Sequence, residues 1–431
     1  MLAIDQEKAV KDITAWWTSS KAYHILDGGA GTGKTFVVDS ILETLPRAVP
    51  ILLAPTHKAV RQLKAKTTGD YEFRTVASAL GIRPVDEGKE LRFEQIQLPS
   101  IWDSVNIAVV DEVSMLPEYQ LDILRSLGTK ILYVGHSSQL PPVSLTKSMF
   151  DVCVSPVFEQ GYGVSNLYIP KRNTGSLWEY CNLLEQRIYD DTIPVPKDYD
   201  VSPQDLTSSL EESLTDFTEG DSKIALWTNE GVYKYNTRIR ELIYESKKLP
   251  KYIKDDLVIT TNTGISFDGM EFLRDKDILR HAGQGLDIYT DTDGKLLSAS
   301  IVTITFNKNL SVRANKLRVK TDIEGVVTLY ELCDYKDYTK IADYYEHIAW
   351  ERKDKKSRDK AYAERATLLK CFFQMKHFYA STSHRLQGSS IPNIIAVASD
   401  IGKNSNRVEK NKLMYVACSR ASESLQVYRG L

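Results

Sequence analysis

Between residues 5 and 19 the apolar positions Ala9, Val10, Ile13, Trp16 and Trp17 recur near helical spacing, which predicts an amphipathic helix. The pattern then changes to short apolar runs that end in polar residues: YHILDGGAGTGKT, AVPILLAPTHK, VNIAVVDEVSM and KILYVGHSSQLPPV. Apolar runs of this length, alternating with helical stretches, predict a parallel sheet buried on both faces. Residues 1–165 therefore read as a doubly wound α/β domain. Ligands in such sheets sit at the carboxyl ends of the strands, where all four polar tails fall.

Residues 82–100, IRPVDEGKELRFEQIQLPS, break this rhythm. A turn signal at Asp86, Glu87 and Gly88 between short alternating segments predicts an inserted β-hairpin. Pro194, Pro196 and Pro203 mark 194–204 as a loop, and KIALWTNEGVYKYNTRIREL returns to strand, turn and helix. From about 250 to 332 short strands with glycine turns (NTGISFDG, HAGQG, DTDGK) suggest a small barrel, and 336–376 is a charged, aromatic helical stretch. The α/β pattern resumes from 377 to the end. The expected division is 1–165, then 166–250 with 377–431, with 251–376 as the barrel and its helical extension. The run ERKDKKSRDK at 351–360, with six basic and three acidic residues, reads as a solvated helical surface.

Composition narrows the function classes. Hydrophobic residues make up 42% and charged residues 26% of the 431, as in globular proteins, which excludes a mostly disordered or low-complexity chain. No apolar run approaches the roughly 20 residues of a bilayer span, and MLAIDQEKAVKDITAWW lacks a secretory pattern. The five cysteines, Cys153, Cys181, Cys333, Cys371 and Cys418, are scattered without a CxxC, so neither a disulfide framework nor a zinc site is expected and a reducing intracellular compartment fits. With 55 basic and 57 acidic residues the net charge is −2. That excludes a uniformly basic nucleic-acid binder but leaves room for a local basic groove.

Gly28-Gly-Ala-Gly31-Thr-Gly33-Lys34-Thr35 satisfies GxxxxGK[ST] between a strand and a helix. Glycines let successive backbone N–H groups turn around phosphate oxygens, Lys34 meets the β/γ-phosphates and the Thr35 hydroxyl ligates Mg²⁺. The following helix directs its positive end at the anion. A P-loop also needs a carboxylate on a neighbouring strand. IAVVDEVSM supplies Asp111 for the metal, through water, and Glu112 to polarise the attacking water. These residues predict an Mg²⁺-dependent nucleoside triphosphatase without saying what the energy is for.

The ordered set DEVSM, GHSSQLPPV, TSHRLQG and YVACSRA resembles superfamily-1 DNA helicases of the RecD-like branch (subfamily 1B), the branch of the phage Dda helicase. The resemblance runs from Gln6 to Arg420 and is weakest over about 195–370. It implies two RecA-like P-loop domains, an inserted hairpin, or pin, in the first, and an SH3-like barrel with a helical insert in the second. It implies that Gln6 reads the adenine edge, that Phe36 joins the nucleotide-binding set, and that Gln139 contacts the γ-phosphate and couples nucleotide state to DNA grip. Arg172 and Arg420 match the arginines that neutralise transition-state charge, a role worth about 10³–10⁵ in rate. Pro55, Thr56, His57 and Thr75 match DNA-contacting motifs of the first domain, and Thr382, His384, Arg385 and Gln387 a motif of the second. Pro84 and Phe93 in the hairpin would press on bases of the tracking strand, an aromatic–base stack being worth about 1–3 kcal/mol whatever the sequence.

The implied partners are single-stranded DNA and forked or tailed duplex, together with replication or recombination proteins and no membrane. The resemblance also implies 5′→3′ travel and a monomeric, phage-type motor in a bacterial cytoplasm. Two positions depart from the family pattern. Gly-Asp-x-x-Gln is here Gly135-His136-Ser-Ser-Gln139, which puts coupling strength or the pH dependence of hydrolysis in question, and Ala77 stands where relatives often carry His. Three functions follow: an ATP-driven motor that unwinds duplex with a hairpin wedge, a nucleotide-gated single-stranded-DNA-binding ATPase without processive unwinding, and a P-loop kinase. Asp111-Glu112, the downstream arginines and APTH argue against the last.

Overall fold

The computed structural model describes residues 2–86, 91–142, 155–171, 175–267, 286–321 and 324–430, with the backbone alone over 83–86 and 91–94. The chain divides into two compact units, 1–209 with 221–232 and 381–431, and 210–220 with 233–380.

The first unit holds two sheets. One has six strands in the order Glu72–Thr75, Pro50–Ala54, Ile107–Val110, Lys130–Gly135, Tyr23–Gly28 and Gly163–Leu167, all parallel. Both faces are buried, as the continuous apolar runs predict. Ile25, Ile51, Leu53, Val110, Ile131 and Tyr133 point into one core, and their strand neighbours Leu26, Leu52, Val109, Leu132 and Val134 into the other. Each such side chain is worth roughly 1.5–3 kcal/mol on burial. The helix Ile4–Thr18 covers the second core with Ala9, Ile13 and Trp16. The edge strand Gly163–Leu167 pairs with Tyr23–Gly28, so this sheet runs slightly past residue 165. At 82–100 the strands Ile82–Asp86 and Leu91–Gln95 pair antiparallel, with Pro84 opposite Phe93.

The other sheet has five strands in the order Ala380–Thr382, Ser222–Leu226, Ile391–Val397, Ala421–Tyr428 and Asp200–Val201. The segment expected as a loop around 194–204 thus contributes an edge strand. Pro203 starts the helix Pro203–Glu212, where its missing N–H costs nothing.

The second unit is built on a five-stranded antiparallel sheet ordered Gly325–Leu332, Leu310–Thr321, Asp293–Asn307, Leu257–Thr260 and Met375–His377. Strands Gly264–Ser266 and Leu286–Ile288 form a separate ribbon, and HAGQG lies outside the described residues. Strand Leu310–Thr321 changes its buried face part-way. Leu310, Val312 and Ala314 pack with Ile341, Tyr345 and Leu368 of the helices Tyr335–Glu351 and Lys355–Lys370. Leu317 and Val319 pack instead with Leu296, Val327 and Leu329. Buried beside this sheet, Asp256 takes two hydrogen bonds from Arg240, at 2.9 and 3.0 Å. Among the described residues no helix is long and apolar enough to cross a membrane.

Candidate nucleotide and DNA sites

The phosphate-binding loop leaves the end of strand Tyr23–Gly28 and enters the helix Lys34–Leu42. Gly33 there has φ +86°, and a Cβ on it would stand 2.6 Å from Gln6 Nε2. Only glycine fits both conditions without strain. Gln6 is itself buried, and its carboxamide donates to the Thr32 carbonyl at 3.0 Å and accepts from the Ala3 N–H. The first helix is thereby tied to the loop.

A cavity of about 480 Å³ lies over the loop, lined by Gly31, Gly33, Lys34, Thr35 and Phe36 together with Asp111, Glu112 and Gln139. Gly388 and Arg420, from the second sheet's side, line the same cavity. Lys34 Nζ donates to the Gly28 and Gly29 carbonyls at 2.6 and 3.1 Å. Burial depresses its pKa, opposed by the charges of Glu112, Asp111 and Asp27. Burial and the neighbouring Glu112 push the Asp111 carboxyl up to about 6, against the pull of Lys34. Glu112 adopts the left-handed region at φ 49°, and its Oε2 is buried with no hydrogen-bond partner among the described residues. Arg420 is also buried. Its guanidinium is oriented by the Val416 and Ser389 carbonyls and the Ser419 hydroxyl.

The two sheets' loops are joined by a buried polar chain. Ser114 Oγ donates to Gln139 Oε1 at 2.9 Å, and Gln387 Nε2 donates to Ser114 Oγ at 3.3 Å. Gln387, expected among the DNA contacts, therefore places its carboxamide next to Gln139. Lys412 is fully buried and donates to the Ser137 and Gln139 carbonyls at 2.8 and 2.9 Å.

A second hollow, of about 610 Å³, is lined by His57, Arg74, Thr75, Ala77, Ser78, Gly81, Ile82, Ile96, Gln97 and Pro99. Its frame is local. Thr56 caps the helix His57–Lys66 by accepting from the Ala59 N–H, and Thr75 caps Val76–Ala79 by accepting from the Ser78 N–H. Pro55 precedes the first cap and is half-buried. Thr382 caps the turn Ser383–Leu386 that carries His384 and Arg385. Burial lowers the His384 pKa. Thr382, His384 and Arg385 are not among the residues that line the hollow at His57. Arg172 lies outside the described residues, as do the side chains of Pro84 and Phe93.

Ser114 and Lys412 were not among the residues singled out from the sequence. A signal for Lys412 exists: it stands at the head of LMYVAC, a stretch buried on every face of its helix, so its ammonium must find acceptors inside. Ser114 carries no comparable signal, because a serine after DEV is equally at home in an exposed turn.

Residues 1–157 match the AAA domain model and residues 377–428 the UvrD-like helicase C-terminal domain model. An uncharacterized protein of Acanthamoeba polyphaga mimivirus is 23% identical over 94% of both chains. The ATP-dependent DNA helicase dda of Enterobacteria phage T4 is 27% identical over 53% of this chain, a match that spans 54% of that helicase. Among solved structures, Pif1 helicase from Bacteroides in complex with ADP-AlF3 and single-stranded DNA aligns with TM-score 0.50 at 16% identity, covering 99% of this chain and 92% of that one. At that identity the likeness concerns the fold, two RecA-like domains.

Proposed function

We propose, for a chain that belongs to the superfamily-1 helicases of the Dda and Pif1 type, that it hydrolyses ATP to move along single-stranded DNA, travelling 5′→3′, and to unwind duplex. The observation that carries this is the shared cavity. Lys34, Thr35, Asp111 and Glu112 enter it from the first sheet, and Gly388 and Arg420 from the second. A nucleotide seated there would touch both sheets, so its loss would change how they are held together.

In this reading Gln6 and Phe36 receive the base, the loop N–H groups and Lys34 hold the phosphates, and Glu112 orients the water. Arg420, with Arg172, neutralises charge developing on the equatorial oxygens. The residues also fit a divalent ion. Thr35 and Asp111, a hydroxyl and a carboxylate, both line the cavity beside the loop that would hold the phosphates. Thr35 and Asp111 would hold Mg²⁺, which would neutralise phosphate charge.

Pro55, Thr56, His57 and Thr75 on one side and Thr382, His384 and Arg385 on the other grip the strand in alternation. The Gln139–Ser114–Gln387 chain supports a link between nucleotide state and that grip. The hairpin at 82–100 serves as the wedge, with Pro84 and Phe93 against the bases. Separation costs about 1.4 kcal/mol per base step on average, so rigidity matters more than binding energy. Strand displacement on duplexes with a 5′ or a 3′ single-stranded tail tests the reading. Displacement from the 5′ tail alone, requiring ATP and Mg²⁺, is expected. No displacement from either tail would leave a nucleotide-gated single-stranded-DNA-binding ATPase without processive unwinding.

A further inference from the structure

The third motif departs from the family pattern at His136, and the structure shows what surrounds that departure. His136 Nδ1 lies 2.8 Å from Asp27 Oδ1, at the end of the strand that delivers the phosphate-binding loop. Its Nε2 lies 2.9 Å from Glu185 Oε1 on the helix Ser176–Tyr189, within ion-pair reach though off the line of a straight hydrogen bond. The ring is buried and the two carboxylates are half-buried, so the imidazole's polar surroundings are chiefly these two groups. Asp27 Oδ1 also accepts from the Ser137 N–H, and Glu185 Oε1 from the Ser138 hydroxyl at 3.0 Å. Tyr415 packs its ring 5.8 Å from that of His136, and its hydroxyl takes the Ala30 N–H of the loop.

The cluster stands behind the phosphate-binding loop. It borders a separate cavity of about 170 Å³ lined by Gly29, Ala30, Thr32, His136, Glu185 and Tyr415 among others, and His136 does not line the nucleotide cavity.

We propose that His136 is a positioning residue for the hydrolytic reaction, a cationic bridge that joins Asp27 under the phosphate-binding loop to Glu185 on the helix Ser176–Tyr189. This rests on the ATPase reading of the site. None of His136, Asp27 and Glu185 lines the nucleotide cavity, so the bridge acts on turnover through the loop's placement rather than on nucleotide affinity. A cation at 136 offsets one of the two carboxylate charges it faces. An aspartate, usual at this place in the resembling family, would put a third carboxylate, itself buried, against two half-buried ones.

The ionisation follows the geometry. Burial works against the imidazolium, but Asp27 and Glu185 outweigh it and raise the His136 pKa, while both carboxyls are held below their usual range by His136. The other groups nearby are Tyr189, which shares Ser138, Tyr415, Cys181, Lys34, whose charge reaches Asp27, and Lys412 on the Ser137 carbonyl. Burial raises the pKa values of both tyrosines above the ordinary phenol value. A histidine whose folded pKa is raised contributes fully below about 6.5, its unfolded value, and loses that contribution as pH rises through the folded value.

The test is steady-state ATP hydrolysis with saturating single-stranded DNA, from pH 6 to 9, on wild type, His136→Gln, Glu185→Gln and His136→Asp, with Tm for each. Wild-type kcat is expected to fall through a one-proton step above pH 6.5. Glu185→Gln should move that step to lower pH. His136→Gln should abolish the step and lower kcat about tenfold, with KM for ATP within threefold. His136→Asp should melt below His136→Gln despite restoring the family's residue. An unchanged pH profile in His136→Gln, or His136→Asp melting above it, would overturn the proposal. A wild type that DNA does not stimulate would instead refute the helicase reading, and the two failures are told apart by that control.

Discussion

Ser114→Ala removes one hydroxyl from the middle of the chain that connects Gln139 to Gln387. The two hydrogen bonds it carries measure 2.9 and 3.3 Å, and both carboxamides are buried, at 3% and 9% exposure. The variant leaves Gln139 Oε1 and Gln387 Nε2 facing a methyl group. An unmet buried polar group costs about 1–3 kcal/mol. The longer bond belongs at the low end, so a loss of about 2–4 kcal/mol in stability is expected. The functional effect is separate. If the chain transmits nucleotide state, its removal should take away a coupling free energy of about 1–3 kcal/mol, a 5- to 150-fold loss. The assay is the ratio of kcat with saturating single-stranded DNA to kcat without it, with Tm measured in parallel. The ratio should fall at least fivefold, chiefly through the DNA-stimulated rate. A lowered Tm with an unchanged ratio would refute the relay and leave Ser114 a packing residue.

Gly81→Ala should loosen the foot of the hairpin. Gly81 has φ +66°, and a Cβ there would fall 1.9 Å from the Gln97 carbonyl oxygen; the backbone strain alone is about 1–3 kcal/mol. A drop in Tm with reduced strand displacement is expected, and an unchanged Tm would contradict the placement. Asp256→Asn should destabilise the second unit by about 3–5 kcal/mol, because Arg240 is left charged and buried. Burial would raise the Asp256 pKa, but His377, Arg240 and the Ile253 N–H together hold it below the usual range. Its contribution is therefore present above about pH 3.9, the unfolded value, and is lost as pH falls through the lower folded value. Acid titration of the folded signal should show a proton-linked loss in wild type that Asp256→Asn lacks.

The apolar runs specified the first sheet closely, because a strand buried on both faces has few alternative partners and its carboxyl end must carry the polar residues. The loop glycines and Lys34 were equally legible: backbone N–H groups can turn around phosphate in few ways, and the motif spells that turn out. The second unit was harder to read. Strand Leu310–Thr321 buries alternate residues on one face and then on the other, so its pattern breaks in the middle and no single period describes it. Strand Met375–His377 joins its sheet after two intervening helices, a pairing that local pattern does not encode. Among site residues, the roles of Ser114, Lys412, Asp27 and Glu185 depend on partners 25 to 275 positions away. A sequence shows the departure at His136 but not the two carboxylates that accompany it.

The central claim is that one nucleotide cavity, built from both sheets, drives work on DNA. Steady-state ATP hydrolysis, with and without single-stranded DNA, on wild type and Lys34→Ala tests it most directly. Strong stimulation by DNA in wild type and loss of turnover in Lys34→Ala is the predicted result. Lys34-dependent hydrolysis at the same rate with and without DNA would contradict it.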